Sequence, residues 1–153
     1  MTNSEIIFRE ATAADMPGIS HVRTSVTENA LTYEQLAARG VTNESVAASF
    51  LTDSKGWVAE HDGEVVGFAI ANRVSSSIFA LFVLPAHERR GVGARLFDLA
   101  VNWLWDHGAQ RLWLTTDPQS RAARFYERRG WVATGRSERG DMRYEIARSP
   151  SGE

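Results

Sequence analysis

A buried strand that runs through a glycine-bearing loop into a long amphipathic helix is the feature that most limits how this chain folds. Residues 78–84, IFALFVL, show no alternation of polar and apolar side chains, which predicts a strand buried on both faces. From Gly91 to about His107, apolar residues recur at helical spacing and leave only a narrow polar arc, which predicts a mostly buried helix. The chain therefore places the N-terminus of a core helix shortly after a central strand.

The start of this helix has the properties of an anion site. A helix leaves its first N–H groups without intrahelical partners and is positive at that end, so the junction can cradle a pyrophosphate. Gly91 and Gly93 let phosphate oxygens approach the backbone because glycine has no Cβ. A dinucleotide-binding G-x-G-x-x-G pattern would need Gly or Ala at Leu96, and the Gly-Lys-Ser/Thr of a P-loop is absent. Neither nucleotide-binding pattern is therefore present, which disfavours a nucleotide-binding oxidoreductase fragment.

Short cap and turn signals in the sequence predict where the other helices and strands begin and end. Thr12 and Asp15 resemble a helix cap, Asp62-Gly63 is typical of a two-residue hairpin turn, and Asp117 with Pro118 can start a helix. The predicted strands are 6–9, 57–61, 64–72, 78–84, 111–116, 131–134 and 142–146; the predicted helices are 12–28, 33–39 with 42–51 as one stretch or a pair, 91–107 and 118–130. We expect a single α/β or α+β domain over residues 1–148, with a mixed sheet and a disordered tail at 149–153.

Composition and charge exclude several classes of function. The 153 residues carry 17 Lys and Arg against 19 Asp and Glu, a net charge of −2, which argues against a nucleic-acid partner. The absence of Cys excludes disulfides and thiolate sites, and the four His are too scattered for a recognisable metal site. The longest apolar run is far shorter than the roughly 20 residues of a membrane-spanning helix, and the N-terminus shows no export signal. We therefore expect a cytoplasmic protein without a metal or a membrane partner.

Two motifs resemble those of the GNAT superfamily of acyl-CoA-dependent N-acetyltransferases. The first, VLP at 83–85 followed by ERRGVG at 88–93, is similar to the family's acyl-CoA motif, Gln/Arg-x-x-Gly-x-Gly/Ala. The second, TDPQSRAARFYERRGW at 116–131, is similar to the family's last helix and the strand after it. The two motifs have the family's order and separation, and the resemblance covers about residues 6–146. It implies a mixed, mostly antiparallel sheet of about six to seven strands flanked by about four helices.

The resemblance implies acetyl-CoA as the acyl donor and a set of residues that bind it. The backbone of Leu81, Phe82 and Val83 would pair with the pantetheine arm like an added strand. Backbone amides would bind the pyrophosphate along the loop and helix start, at Arg89, Arg90, Gly91, Val92, Gly93 and Ala94. Arg89, Arg90 and Arg121 are candidates for the adenosine 3′-phosphate, although exposed arginines are more often simply solvated.

Two positions depart from the family pattern. Glu88 stands where the family has Gln or Arg, and because a carboxylate aimed at phosphates would repel them, we expect Glu88 to face solvent. Gln119 stands where many members have Asn, which leaves its contact with the cofactor open.

The same resemblance suggests catalytic residues. Tyr126 matches the tyrosine that lies beside the departing sulfur in many members, where a phenol can protonate or stabilise the thiolate; a core aromatic is the alternative. For the base that takes the proton of the amine, Glu28 is the leading candidate, beside His21, Glu60, His61 and a water relay.

The predicted function is acetyl transfer from acetyl-CoA to a primary amine by direct attack on the thioester. The direct route follows from the family and from the missing Cys, and no Gly-x-Ser-x-Gly elbow occurs. The acceptor would be a small-molecule or peptide amine, and the resemblance allows a homodimer. The alternative is a non-catalytic acyl-CoA-binding sensor or interaction module.

Overall fold

The computed structural model describes residues 5–27, 29–88 and 91–148, in which seven strands form one sheet with five α-helices around it. The strands are β1 Ile7–Glu10, β2 Ser54–His61, β3 Glu64–Asn72, β4 Ser77–Val83, β5 Arg111–Thr116, β6 Val132–Arg136 and β7 Met142–Ala147. The α-helices are α1 Met16–Ser25, α2 Tyr33–Ala38, α3 Asn43–Ser49, α4 Val92–Asp106 and α5 Arg121–Arg128. The predicted fold class, a mostly antiparallel mixed sheet with flanking helices, is confirmed.

The direction of strand pairing in the sheet changes between β4 and β5. Its strand order is β1-β2-β3-β4-β5-β7-β6, and every neighbouring pair is antiparallel except β4 with β5. That parallel pair has a single register position, Ser77 opposite Trp113. Beyond Ser77, the edge of β4 that faces β5 therefore has no strand partner among the described residues.

This incomplete pairing changes the expected burial of β4. A strand buried on both faces was predicted, yet only Ser77 and Ile78 are buried and the following residues are half-buried or exposed. Phe79 is 54% exposed, because a bulge pairs Ile70 with Ala80 and Ala71 with Ile78, which leaves Phe79 out of the ladder. The second half of β4 borders open space instead of a neighbouring strand.

Helices cover the two faces of the sheet with separate apolar clusters. Alternation along β3 divides them: Ala69 and Ala71 belong to the cluster under α4 and α5, whereas Phe68 and Ile70 belong to the cluster under α1 and α3. Leu96, which the periodicity placed on the buried face of α4, has no exposed surface. Apolar side chains therefore pack against both faces of β3 and β4.

The predicted hairpin between β2 and β3 is confirmed. Asp62 and Gly63 have φ of 53° and 81°, the left-handed values that a two-residue turn of this type requires. The strand before it starts earlier than the alternation indicated, at Ser54.

Two helix boundaries differ from the prediction. The α5 helix begins at Arg121 with Ser120 as its cap, because the Asp117 carboxylate instead accepts the Gln119 amide at 2.9 Å and closes a turn. The α1 helix ends at Ser25, short of Glu28, which lies outside the described residues, as does the predicted tail at 149–153. None of the helices in the described ranges combines the length and the apolar character that crossing a bilayer requires.

A buried carboxylate joins β1 to α1. The two oxygens of Asp15 accept bonds from the Arg9 guanidinium at 2.7 and 2.9 Å, and one of them also accepts the Thr12 amide at 2.8 Å. These bonds complete the capping box predicted from Thr12 and Asp15. The Arg9 guanidinium, despite the opposing effect of burial, holds the pKa of the Asp15 carboxyl below its usual value.

We expect Asp15→Asn to lower the free energy of unfolding by about 1 to 3 kcal/mol at neutral pH, since it breaks a charge-assisted pair at a buried group. Because the folded-state pKa lies below the unfolded value of about 3.9, the stabilisation is complete above that pH and is lost as the pH falls through the folded-state pKa. Denaturant titrations of both proteins should therefore converge on acidification.

The control for this comparison is Asp53→Asn, which breaks an exposed ion pair of 3.5 Å with Arg73 and should change stability by less than about 0.5 kcal/mol. An Asp15→Asn protein as stable as the parent at neutral pH would contradict the assignment.

Candidate active site

A cavity of about 550 Å³ lies between the end of β4 and the starts of α4 and α5; we call it the β4–α5 cavity. The residues predicted from β4, Leu81, Phe82 and Val83, line it on the unpaired side of the strand. Unpaired strand edges carry N–H and C=O groups that are available to an extended ligand. The cavity therefore combines an open backbone edge with enough room for a chain laid along it.

The N-terminus of α4 lines the same cavity through Gly91, Gly93 and Ala94. Gly91 caps the helix with φ of 77°, and the amides after it are those that an α-helix leaves without intrahelical partners. A Cβ added at Gly93 would make only ordinary contact with Val83, at 3.6 Å, so packing within the protein does not require glycine there. The arrangement fits a phosphate group that approaches the backbone closely.

Other predicted donor-site residues do not line this cavity. Val92 is buried in the core, and Gln119 is exposed in the turn before α5. Arg89 and Arg90 lie outside the described residues.

Three arginines of α5 line the β4–α5 cavity: Arg121, Arg124 and Arg128. Their spacing of three and four residues puts them on one helix face, a signal that the sequence analysis used only for Arg121. Glu88, expected to face solvent, also lines the cavity, and its carboxylate accepts from Arg121 at 2.6 Å. The ion pair counters the repulsion that the Glu88 charge would exert on an anionic ligand.

A second cavity, of about 770 Å³, lies among α1, α2, β4 and the end of β5; we call it the α1–β4 cavity. Six of the described residues line both cavities: Thr27, Asn29, Leu81, Phe82, Ala122 and Tyr126. The two spaces therefore meet beside the middle of β4. A ligand in one can present a reactive group to a ligand in the other at this junction.

Tyr126 belongs both to the core and to the junction. It is 4% exposed, and its ring contacts those of Phe97, Trp131 and Tyr144. Its hydroxyl has no hydrogen-bond partner among the described residues, and burial raises its pKa above the usual value for a phenol. The phenol therefore stays protonated at neutral pH and is available as a donor.

Asn29 is a junction residue that the sequence analysis missed. Its side-chain amide donates to the Thr116 hydroxyl at 3.1 Å, and its side-chain oxygen accepts the Asp117 amide at 2.8 Å. Its φ of 58° lies in the left-handed region, which Asn tolerates better than most residues. One side chain thus ties the loop after α1 to the end of β5. Only an Asn directly after the predicted end of a helix hinted at this role.

The base candidates taken from the sequence do not gather at the junction. His21 and His61 line neither cavity, nor does Glu60, which pairs with Arg9. Glu28 lies outside the described residues. The described carboxylates that line the α1–β4 cavity are Asp117 and Asp141. Within ranges 5–27, 29–88 and 91–148, no group of three or more His, Asp or Glu is placed to hold a metal ion.

The chain matches the model of the acetyltransferase (GNAT) family over residues 24–131. It is 33% identical over 94 residues to uncharacterized N-acetyltransferases of Mycobacterium bovis and Mycobacterium tuberculosis, a match that covers 58% of this chain and 60% of each relative. The matched part thus spans about three fifths of the length of these relatives.

Solved structures show the same fold at lower identity. The PaiA N-acetyltransferase of Thermoplasma acidophilum, in complex with coenzyme A, superposes with a TM-score of 0.78 at 16% identity, covering 94% of this chain and 99% of that one. The ribosomal-protein-S18-alanine N-acetyltransferase of Escherichia coli gives 0.74 at 19% identity, covering 97% of both chains. At these identities the likeness shows the shared architecture.

We expect Asn29→Gly to loosen the end of β5 without straining the loop, because glycine also adopts the left-handed conformation. The Asp117 amide loses its acceptor, so its hydrogen exchange should accelerate at least tenfold relative to the core amides of β3. Exchange measured residue by residue by NMR checks this.

Asn29→Asp separates the two bonds, since it keeps the acceptor for the Asp117 amide and removes the donor to Thr116. Exchange at Asp117 should remain slow in this variant. Unchanged exchange at Asp117 in Asn29→Gly would contradict the assigned role.

Proposed function

We propose, from the premise that this chain belongs to the acetyltransferase (GNAT) family, that it moves an acetyl group from acetyl-CoA to a primary amine by direct attack on the thioester. The observation that carries the proposal is the meeting of two cavities at Leu81, Phe82 and Tyr126, beside an unpaired strand edge. Such a junction suits a reaction between two separately bound substrates, because it holds their reacting groups together.

The β4–α5 cavity has the features that acetyl-CoA requires. The free edge of β4 offers backbone partners for the amides of a pantetheine arm, as in strand addition. The α4 N-terminus and Gly93 suit a pyrophosphate, and Arg124 and Arg128 supply cations for a further phosphate. These features support acetyl-CoA as the donor, with its thioester directed to the junction.

The α1–β4 cavity would hold the acceptor. The neutral amine forms a bond to the thioester carbonyl carbon, the carbon–sulfur bond breaks, and the sulfur leaves with the electron pair. A backbone amide of β4 at the junction is suited to stabilise the negative carbonyl oxygen, a type of donor whose loss typically costs about 2.7 to 4 kcal/mol of barrier. No covalent enzyme intermediate is required.

Two proton transfers complete the reaction. The hydroxyl of Tyr126 would donate its proton to the departing sulfur and be reprotonated from solvent. Its location at the junction supports this role, and its raised pKa keeps the phenol protonated before the transfer. The amine loses its extra proton to a base, for which Glu28, outside the described residues, stays the prediction.

The function is tested by isothermal titration with acetyl-CoA and by release of free CoA thiol in the presence of a panel of amines. We expect saturable binding and thiol release that depends on the amine. Binding without amine-dependent release across a broad panel would favour the non-catalytic sensor, and absence of binding would overturn the proposal.

We expect Tyr126→Phe to lower kcat at least tenfold while leaving the affinity for acetyl-CoA within about twofold, because the change removes the proton donor and keeps the ring. The matched control is Tyr144→Phe, which also removes a buried phenol hydroxyl, one that donates to Glu127 at 2.8 Å away from both cavities. The control should keep the kcat of the parent. Equal rates for Tyr126→Phe and the parent would remove the proposed acid.

A further inference from the structure

The α1–β4 cavity contains a cation that the proposed reaction does not use. Arg23 of α1 is half-buried and lines this cavity, and its guanidinium carbon lies 4.0 Å from the centroid of the Phe82 ring. One nitrogen donates to the Asn29 carbonyl at 3.1 Å. The guanidinium forms no ion pair with a carboxylate in the described part of the chain. The Asn29 carbonyl is thus the one acceptor that the described residues offer to its five N–H donors.

A second arginine faces the same space. Arg39, just after α2, lines the α1–β4 cavity; burial, and to a smaller extent the charge of Arg39, lower the pKa of Arg23. Two like charges that repel each other within a cavity gain from an anion placed between them. Arg139 also lines the cavity, so among the described lining residues three arginines stand against the two aspartates Asp117 and Asp141.

The charge of Arg23 lies close to the junction at which the proposed reaction takes place. Phe82, on which the guanidinium stacks, is a junction residue that lines both cavities. An anionic group bound to the edge of Arg23 therefore lies close to the place where the acceptor amine must sit. A planar guanidinium held on an aromatic face matches the two oxygens of a carboxylate.

Apolar residues form part of the remaining cavity lining. Leu36, Val41, Phe79 and Ile78 contribute side chains to it, and its volume of about 770 Å³ exceeds what a carboxylate and an amine occupy. These residues can accommodate a hydrophobic body on the acceptor, and the arginines of the cavity disfavour a polycation.

We propose that the α1–β4 cavity selects amines that carry a carboxylate, bound by Arg23 and Arg39, next to an apolar side chain, as in a hydrophobic amino acid. This inference rests on the proposed function, since it assigns the acceptor class of the same site. The carboxylate anchors the acceptor, its short link to the amine brings the nitrogen to the junction, and the side chain fills the apolar part of the cavity.

The test measures binding of the carboxylate separately from turnover. N-acetylleucine and N-acetylleucinamide, and the corresponding phenylalanine pair, are titrated into the intact protein with CoA present. These compounds have no ionisable amine, so their affinity difference reports the carboxylate alone. We expect the carboxylate member of each pair to bind at least tenfold more tightly.

Three variants assign the preference to residues. Arg23→Gln and Arg39→Gln should each reduce the affinity ratio to below about threefold, and Arg23→Lys, which keeps the charge, should give an intermediate ratio. Arg39 is exposed, so its variant remains informative if Arg23→Gln fails to fold. The matched control, Arg136→Gln, removes an exposed arginine of β6 that lines neither cavity and should keep the parent ratio.

Equal affinity for acid and amide in the parent, no binding of either, or a preference that persists in both glutamine variants would overturn the inference. Failure of the proposed function is seen separately, as absence of acetyl-CoA binding or of thiol release with any amine. A protein that acetylates amines but binds N-acetylleucine no more tightly than N-acetylleucinamide keeps the function and loses the carboxylate site.

Discussion

The structure depends on a strand pairing that stops early. β4 meets β5 at one position, Ser77 opposite Trp113, where the Trp113 amide donates to the Ser76 carbonyl at 3.2 Å and its indole N–H to the Ser75 carbonyl at 2.9 Å. Beyond that point the backbone polar groups on this edge of β4 have no strand partner among the described residues, although such groups are normally paired in the interior of a sheet. Both cavities open on this edge. The fold thus keeps, at its centre, an unsatisfied edge that an extended ligand can complete.

Positively charged side chains line both cavities beside this edge. On one side, the α5 arginines and the α4 N-terminus make the β4–α5 cavity attractive to phosphates, and the Arg121 partner of Glu88 limits the opposing charge. On the other side, Arg23 stacks on Phe82 without a described carboxylate partner. The net charge of −2 gives no indication of either local excess of positive charge, because a cavity can differ in sign from the whole surface.

Local signals in the sequence predicted most of the fold. The periodicity of α4, the Asp62-Gly63 turn and the β5 strand are each encoded within a few residues, and all three agree with the structure. The predicted burial of β4 is too high, because an apolar run does not reveal whether both neighbouring strands pair with it along its whole length. In the structure β5 pairs with β4 at one position. For the site, the residues of β4 and the α4 start could be named from motifs. Asn29 could not, since its partners lie 87 and 88 positions away along the chain.

If acetyl-CoA binds as proposed, it completes the open edge of β4. Amide hydrogen exchange with and without the ligand tests it directly, at Leu81, Phe82 and Val83 and at Gly93 and Ala94 of α4. We expect amides of these residues that point into the β4–α5 cavity to become at least tenfold more protected in saturated protein, while those of β6 do not change. Saturable binding that leaves the exchange of both segments unaltered would contradict it.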